Sequence, residues 1–449
     1  MNKPRNPPSI DELWKELVNK PERMRHVLAN MNPIWKNRYL HWDTLQYKEP
    51  PNGLSVKEWW AAIKMARIGQ LRKTLLLDVH GVPFQFGMPD PVLESLHKVD
   101  QNACGQIQTF ERDTINPKTQ EKYLIHSLIE EAITSSQLEG AMSTRKVAKE
   151  MIRTERPPRD KSEQMIFNNY QTMYLIKGIS TQNLSKDLIV DLHRELTENA
   201  LDNTDAVGRF RNENEDIRVY GNEAAEDVIL HTPPPANQLE GRIKALCDFA
   251  NGVTPSFYIH PVIRSIILHF WLAYDHPFID GNGRCARALF YWSMLHQGYW
   301  LCEYLSISQI LRRAPAQYGR SFLYSESDDN DLTYFILYNL SVLVRAIDEL
   351  HSYVATRSSE LKKVDRILLD TNINLNHRQI DLLQKALRHE DAVYTIKGHQ
   401  TINKIVYQTA RTDLLGLEKF HLLEKKVRGR KMVFIPAKYL EKKIKEGIT

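Results

Sequence analysis

The stretch that most constrains this chain is His276-Pro277-Phe278-Ile279-Asp280-Gly281-Asn282-Gly283-Arg284-Cys285-Ala286-Arg287. Pro277 disfavours helix at His276, so the apolar helical run before it is expected to stop there. The pattern Ala286-Arg287-Ala288-Leu289-Phe290 predicts a new helix opening at or just after Gly283. Glycines beside a helix start let backbone N–H groups converge on an anion, and the helix dipole adds to the attraction. Arg284 and Arg287 share one helix face and can fork onto phosphate oxygens. Asp280, just before the turn, is placed to hold a magnesium ion beside those phosphates. This chemistry points to nucleotide or phosphoryl transfer with His276 as base. The plainer reading is a polar loop between two helices.

The same residues fit the pattern His-x-Phe-x-Asp/Glu-Gly-Asn-Gly-Arg-x-x-Arg at every fixed position, and so the stretch resembles the Fic motif. The resemblance implies a protein AMP transferase using ATP and Mg2+. A protein hydroxyl attacks the α-phosphorus and pyrophosphate leaves. It implies His276 as the base, Asp280 as the magnesium ligand and Phe278 as the anchor of the loop in the core. It groups Phe278, Gly281, Asn282, Gly283, Arg284, Arg287 and Tyr318 about the nucleotide, with Gly281, Asn282 and Gly283 cradling phosphates and the two arginines holding the β and γ groups. Tyr318 falls where such proteins place an aromatic near the base, although Gly319 follows where a second tyrosine is common.

A chain of 449 residues suggests about three domains. Apolar content of 42% with 26% charged residues is that of a soluble globular protein. No apolar run is long enough to span a bilayer, so no membrane partner is expected. The opening MNKPRNPPSIDELW lacks the apolar stretch of a secretory signal. Cys104, Cys247, Cys285 and Cys302 show neither zinc-site nor disulfide spacing. Reduced thiols and a cytoplasmic location are expected.

Residues 1–120 read as an N-terminal helical extension. Ser9 is placed as a helix cap, and Trp35, Tyr39, Trp42, Trp59 and Trp60 form an aromatic core or a surface for a target. The domain carrying the motif is expected over 121–365. It opens with an amphipathic helix over 121–141, whose Leu124, Leu128, Ile129, Ala132 and Ile133 recur at helical spacing, and Gly140 is its natural stop. The end of that helix, Ser135-Ser136-Gln137-Leu138-Glu139-Gly140, resembles the Fic inhibitory motif. The likeness implies that Glu139 pairs with Arg287 and occupies the γ-phosphate place; the plain alternative is a solvated helix end.

Helical patterns follow around 167–176 and 184–196. Two β-leaning runs about Gly221-Asn222-Glu223 predict a hairpin, closed by Pro233-Pro234-Pro235. In Fic proteins a hairpin here is the flap holding a target segment by strand addition, so a target is expected to dock near 212–232. The run before the motif is apolar on nearly all sides, which marks a buried helix with His269 as a core histidine. Ser306-Ile307-Ser308 is read as the cap of a helix bearing Arg312 and Arg313. Residues 331–365 form one or two long helices that close the domain or join two subunits in a homodimer.

From about 376 the character changes. Asn376-His377-Arg378-Gln379 reads as a capping box, and two more helical patterns precede a basic β-leaning stretch from Leu422 to Ile435. The order resembles a winged helix-turn-helix over 376–449, with Gln408-Thr409-Ala410-Arg411-Thr412-Asp413-Leu414 opening its recognition helix. Sixteen Lys/Arg stand against eight Asp/Glu in this tail, so it carries the positive excess of a chain whose net charge is +5. DNA and a protein partner are both admissible ligands for it. The fold expected is therefore mostly α, with the β-hairpin flap in a Fic-like helical core. The function expected is AMP transfer restrained by Glu139. The alternative is a DNA-binding regulator using the same domain as a nucleotide sensor, and the scaffold also supports kinase-like, phosphocholine and AMP-removing chemistry.

Overall fold

The computed structural model describes residues 3–103, 117–222, 227–369, 375–388, 392–403, 405–428 and 431–446. Cys104, Glu223 of the expected hairpin and residues 429–430 of the 422–435 stretch lie outside these residues. The fold is mostly α, as expected, with three two-stranded antiparallel hairpins among the described residues. Among them no helix is long and apolar enough to cross a membrane. The chain divides into two compact units, residues 1–350 and 351–449.

The first unit opens with α1 (Ile10–Val18), α2 (Pro21–Ala29), α3 (Trp42–Leu45) and α4 (Val56–Ile68), then the hairpin β1 (Arg72–Leu77) and β2 (Pro83–Phe86). That hairpin was not anticipated in a segment read as helical. Ser9 precedes α1 without a side-chain capping bond, whereas Ser55 and Glu58 form a reciprocal capping box on α4. The expected aromatic core is present: Trp59 and Trp60 are buried with Leu13, Leu17, Val27 and Leu45. Next come α5 (Asp90–Ala103), α6 (Pro117–Leu138), α7 (Arg145–Thr154), α8 (Lys161–Ile179) and α9 (Lys186–Thr197). The flap strands β3 (Val219–Asn222) and β4 (Asp227–His231) follow, then α10 (Leu239–Ala250), α11 (Pro261–Asp275) and α12 (Asn282–His296). The unit closes with α13 (Ile307–Arg313), α14 (Pro315–Ser327) and α15 (Thr333–Leu369), one long helix whose residues past Leu350 belong to the second unit.

At the centre, α11 and α12 are buried on nearly every face; α11 is predominantly apolar, whereas α12 also buries Asn282, Arg284, Arg287 and Ser293. The hydroxyls of Ser265 and Ser293 meet at 2.8 Å between them. Ser306 is not the side-chain cap of α13. The hydroxyls of Ser306 and Ser308 and the amide of Ser308 all donate to the buried carboxylate of Glu131 on α6. A carboxylate from a neighbouring helix thus supplies the anion that the start of α13 favours.

The N-terminal segment is tied to the motif-bearing segment by buried charge. Lys64 Nζ donates to Asp328 Oδ1 at 2.7 Å, and Tyr334 Oη donates to Asp328 Oδ2 at 2.7 Å. Arg67 donates to Tyr334 Oη at 2.7 Å and to the carbonyls of Pro33 and Leu40. Tyr39 Oη donates to Asp331 Oδ2 at 2.6 Å, and its ring lies 3.5 Å from the Arg67 guanidinium carbon. Burial opposes ionisation of Asp328, yet Lys64 and Arg67 hold its pKa below the usual carboxylate value.

In the second unit, α16 (His377–Arg388), α17 (Ile396–Asn403) and α18 (Tyr407–Lys419) precede β5 (Leu423–Arg428), β6 (Lys431–Pro436) and α19 (Leu440–Glu446). The expected capping box is present: Gln379 N donates to Asn376 Oδ1 at 3.0 Å and Asn376 N to Gln379 Oε1 at 3.1 Å. Asp413 on α18 accepts from Asn376, Arg378 and His399, knitting three segments around one carboxylate.

Removing one partner of a buried ion pair strands the other charge, at a cost of about 3–5 kcal/mol. Asp328→Ala is therefore expected to lower unfolding stability by an amount of that order in denaturant titration. Asp11→Ala, at an exposed position of α1, should change it by less than about 0.5 kcal/mol.

Candidate active site

The site forms where α11 stops and α12 starts. His276 caps α11 in the left-handed region, φ 46°, and its N–H returns to Leu272 O at 3.0 Å. That conformation is strained for a side-chain-bearing residue, and three bonds from Arg211 hold it. Arg211 Nε donates to His276 O at 2.9 Å, Nη2 donates to Asp275 O at 3.3 Å, and its backbone N–H donates to Pro277 O at 2.9 Å. Helix resumes at Asn282, one residue earlier than expected, with Gly281 as N-cap at φ 83°. Glycine is required there twice over: the φ is left-handed, and a Cβ would lie 2.8 Å from Thr197 Cγ2.

Nδ1 of His276 lies 3.2 Å from Ala273 O. A carbonyl only accepts, so Nδ1 carries the proton and Nε2 is left with the lone pair a base needs. The dipole at the end of α11 would favour imidazolium. Burial wins: it pushes the His276 pKa down to about 4, against the Ala273 carbonyl, and the charges of His231 and Arg211 push the same way. The ring is neutral at physiological pH.

Phe278 is fully buried, stacked on His193 at 3.7 Å and 2° and tilted against Phe210 at 5.1 Å. It anchors the loop, as expected of it, but with protein on both faces it is not a ligand contact. Asn282 also does something other than the expected cradling with its side chain. Its Oδ1 accepts from Phe278 N at 2.9 Å and its Nδ2 donates to Phe278 O at 2.8 Å, clasping the loop shut. What Asn282, Gly283 and Arg284 offer an anion is the open end of a helix. Asp280 is exposed, and its Oδ1 accepts from Gly281 N at 2.5 Å.

The two motif arginines are buried and differently engaged. Arg284 Nη1 donates to Leu196 O at 2.8 Å, while its buried Nε has no partner; burial lowers its pKa. Arg287 Nε donates to Ser135 Oγ at 2.8 Å, and Nη2 to Ser135 O at 3.0 Å and Glu139 Oε1 at 2.9 Å. Glu139 thus pairs with Arg287 through one oxygen. Burial works against the Arg287 charge, but the Glu139 carboxylate keeps its pKa above the usual value. That carboxylate also lies against α12, since a Cβ on Gly283 would stand 2.1 Å from Glu139 Oε1. Glu139 follows directly on α6, and Gly140 at φ 92° ends the helix as expected.

Tyr318 faces inward: its hydroxyl meets His269 Nε2 at 2.8 Å, beside Arg287. His269 is the core histidine expected, held neutral by burial and by Arg287, with its pKa near 3.

Sequence reasoning gave no role to His193 or Arg211, and Ser135 entered only as the first residue of the motif-like stretch ending in Glu139 and Gly140. His193 Nδ1 accepts from Gly208 N at 3.1 Å, so Nε2 bears the proton and donates to Asp280 O at 2.9 Å. Burial takes its pKa to about 4, which keeps this tautomer in place. The available signal was a histidine inside the apolar stripe of Ile189, Leu192 and Leu196, which reads as core unless the loop it supports is known.

Two helices and a clasped loop thus bring together a neutral histidine, an exposed carboxylate, a helix start and two buried guanidinium groups, with the Glu139 carboxylate on Arg287 and against Gly283. Residues 183–294 match the family described as Fic/DOC. Over 119 residues, 26% of this chain and 25% of the relative, it is 29% identical to a protein of Nematostella vectensis named protein adenylyltransferase Fic. Over 116 residues, 26% of this chain and 20% of the relative, it is 34% identical to Caenorhabditis elegans protein adenylyltransferase fic-1. The chain thus spans a quarter or less of these relatives' length. A crystal structure of a Fic family protein from Desulfovibrio desulfuricans G20 superposes with a TM-score of 0.52 at 18% identity, over 78% of this chain and 96% of that one. That likeness concerns the fold.

His193→Phe would keep the stack on Phe278 but leave Gly208 N–H and Asp280 C=O without their partner. Each stranded buried group costs about 1–3 kcal/mol. The expected outcome is a lower thermal midpoint and a loosened 278–282 loop, read by faster amide exchange there.

Proposed function

We propose that the chain is a protein adenylyltransferase that moves AMP from ATP to Tyr, Thr or Ser hydroxyls of proteins, itself included, and that Glu139 restrains it. The observation that carries this reading is the Glu139 carboxylate seated on Gly283 and Arg287. The protein holds an anion of its own where a triphosphate would end. The unpartnered Nε of Arg284 and the open start of α12 are the further groups that suit phosphate. Asp280 fits Mg2+ as a single exposed carboxylate. Among the described residues no cluster of three or more His, Cys, Asp or Glu could hold a metal, so phosphates and water would complete the shell. When bound, the ion offsets charge on the phosphates.

In the proposed reaction Nε2 of His276 takes the proton from the incoming hydroxyl as its oxygen bonds the α-phosphorus. The bond from that phosphorus to the β-phosphate bridging oxygen breaks, and the electron pair leaves with pyrophosphate. Arg284, Arg287 and the start of α12 hold the leaving groups, and Tyr318 props Arg287 from behind. A target strand would add to a free edge of β3 or β4. With Glu139 on Arg287, ATP binds with its α-phosphate turned from in-line attack, and a misplacement of about 1 Å can cost a hundredfold in rate. A cytoplasmic setting belongs to the proposal, and the buried thiols Cys247 and Cys285 suit it.

With α-labelled and γ-labelled ATP in parallel, label is expected from the α position alone. Glu139→Gly should raise labelling strongly with little change in ATP affinity. Adding His276→Ala should lower the rate by about two to four orders of magnitude. The acid limb of the Glu139→Gly rate should fall near pH 4, where His276 titrates, rather than near 6.5. Equal labelling by wild type and Glu139→Gly would sink the brake.

For the second unit we propose a winged helix-turn-helix that binds duplex DNA. The favouring observation is that Gln408, Arg411 and Thr412 are exposed on one face of α18, and that Lys425 and Lys426 are exposed on β5. Affinity is expected to fall with salt at a log–log slope near −0.9 per phosphate neutralised. No binding at low salt would make the module a protein dock. DNA binding with no transfer under any condition would favour the regulator reading.

A further inference from the structure

His231 ends β4 at the base of the flap, opposite Val219 on β3, and its side chain is 10% exposed. Its Nδ1 lies 2.9 Å from Glu326 Oε2 on α14, and its Nε2 lies 2.7 Å from Tyr274 O on α11. Both partners are acceptors, so a ring that satisfies both must donate from both nitrogens and carry a full positive charge. We propose that His231, as an imidazolium, pins the flap base to the catalytic loop and keeps His276 unprotonated for its role as base. It is a positioning residue: it touches the loop, not the reacting atoms.

The geometry gives the pin, and it sets a full positive charge on the carbonyl two residues before His276, where like charge opposes a second proton. Tyr274 O is two residues before His276, and Arg211 holds the next two carbonyls, of Asp275 and His276. The flap and the chain entering it therefore grip three successive residues of the loop. The groups facing His231 are Glu326 from α14 and, from α11, the Tyr274 ring at 4.6 Å and Asp275. Asp275 is already engaged by Arg242 of α10 and by Trp271 Nε1 at 3.1 Å. Facing His276 are Glu139, which favours its protonation, and Arg211 and His231, which oppose it. Burial disfavours the His231 charge, but Glu326 outweighs it and raises the pKa from the usual 6.5. A raised folded-state pKa means that the pin is fully in place below about 6.5 and is lost as pH rises through the raised value.

Only the kinetic part of this proposal rests on the transfer reading, and the test separates the two. His276 is titrated by NMR in histidine-labelled protein, wild type and His231→Asn. Its midpoint is expected to rise from near 4. The rise expected from deleting one nearby charge is roughly half to one pH unit. Amides of 219–222 and 227–231 should exchange faster in the same variant. Glu326→Gln keeps an acceptor for Nδ1–H but removes the charge. It should lower the His231 midpoint and bring fast flap exchange on at lower pH, and it serves if His231→Asn does not fold. In the Glu139→Gly background, the acid limb of autolabelling should move up by the same amount as the NMR midpoint. An unmoved His276 midpoint with unchanged flap exchange overturns the proposal. Absence of labelling in every variant, with the midpoint moved, overturns the transfer reading and leaves this one standing.

Discussion

A guanidinium taken out of water must be given an anion, and Arg287 sets that demand at the centre of this protein. Its neighbours arrange themselves around the requirement. Ser135 offers a hydroxyl and a carbonyl, Tyr318 backs it with a phenol held by neutral His269, and Glu139 supplies the charge. The same need can be met by a phosphate. In the proposed function, restraint and substrate handling are two occupancies of one electrostatic hole, and helix α12, opening beside it, favours negative charge in either case.

A second constraint acts on the base. A histidine ending a helix should be drawn toward its charged form, and a charged ring accepts no proton. The chain overcomes this with burial and with cations on the far side, while the Ala273 carbonyl fixes which nitrogen stays free. The left-handed backbone that aims the ring is strained, and bonds from Arg211, before the flap, and from His231, at its base, hold it. The flap is therefore part of this loop's scaffold.

Much of this was legible in the residues. Pro277 marked the end of α11 and the Gly-Asn-Gly run marked the start of α12, because both act through local backbone conformation. Ser135 and Glu139 lie far from Arg287 in sequence, and only resemblance to a known motif could join them. His193 stayed hidden for a physical reason: inside an apolar helical stripe, a histidine that props a loop and one that merely packs have the same spacing. The Asn282 side chain and the Ser306 cap were misjudged because each has a partner, Phe278 or Glu131, that tertiary packing selects. The β1–β2 hairpin went unseen because its strands are short and β1 buries Thr74 while exposing Leu75 and Leu77, so polarity does not alternate with burial.

Glu131, Ser135 and Glu139 stand four residues apart on one stripe of α6 and its end. The first holds the start of α13 and the second holds Arg287 by two bonds. Lifting the helix to free the third would strand a buried carboxylate and a buried guanidinium together. Glu139, just past the last helical turn and with 27% of its side chain exposed, is the one member able to leave alone. Under the proposed reading, release of the restraint is a matter of one rotamer, on the timescale of side-chain motion rather than of helix undocking. Whatever shifts that rotamer's populations would then set the rate of the proposed transfer, with no rearrangement of the fold.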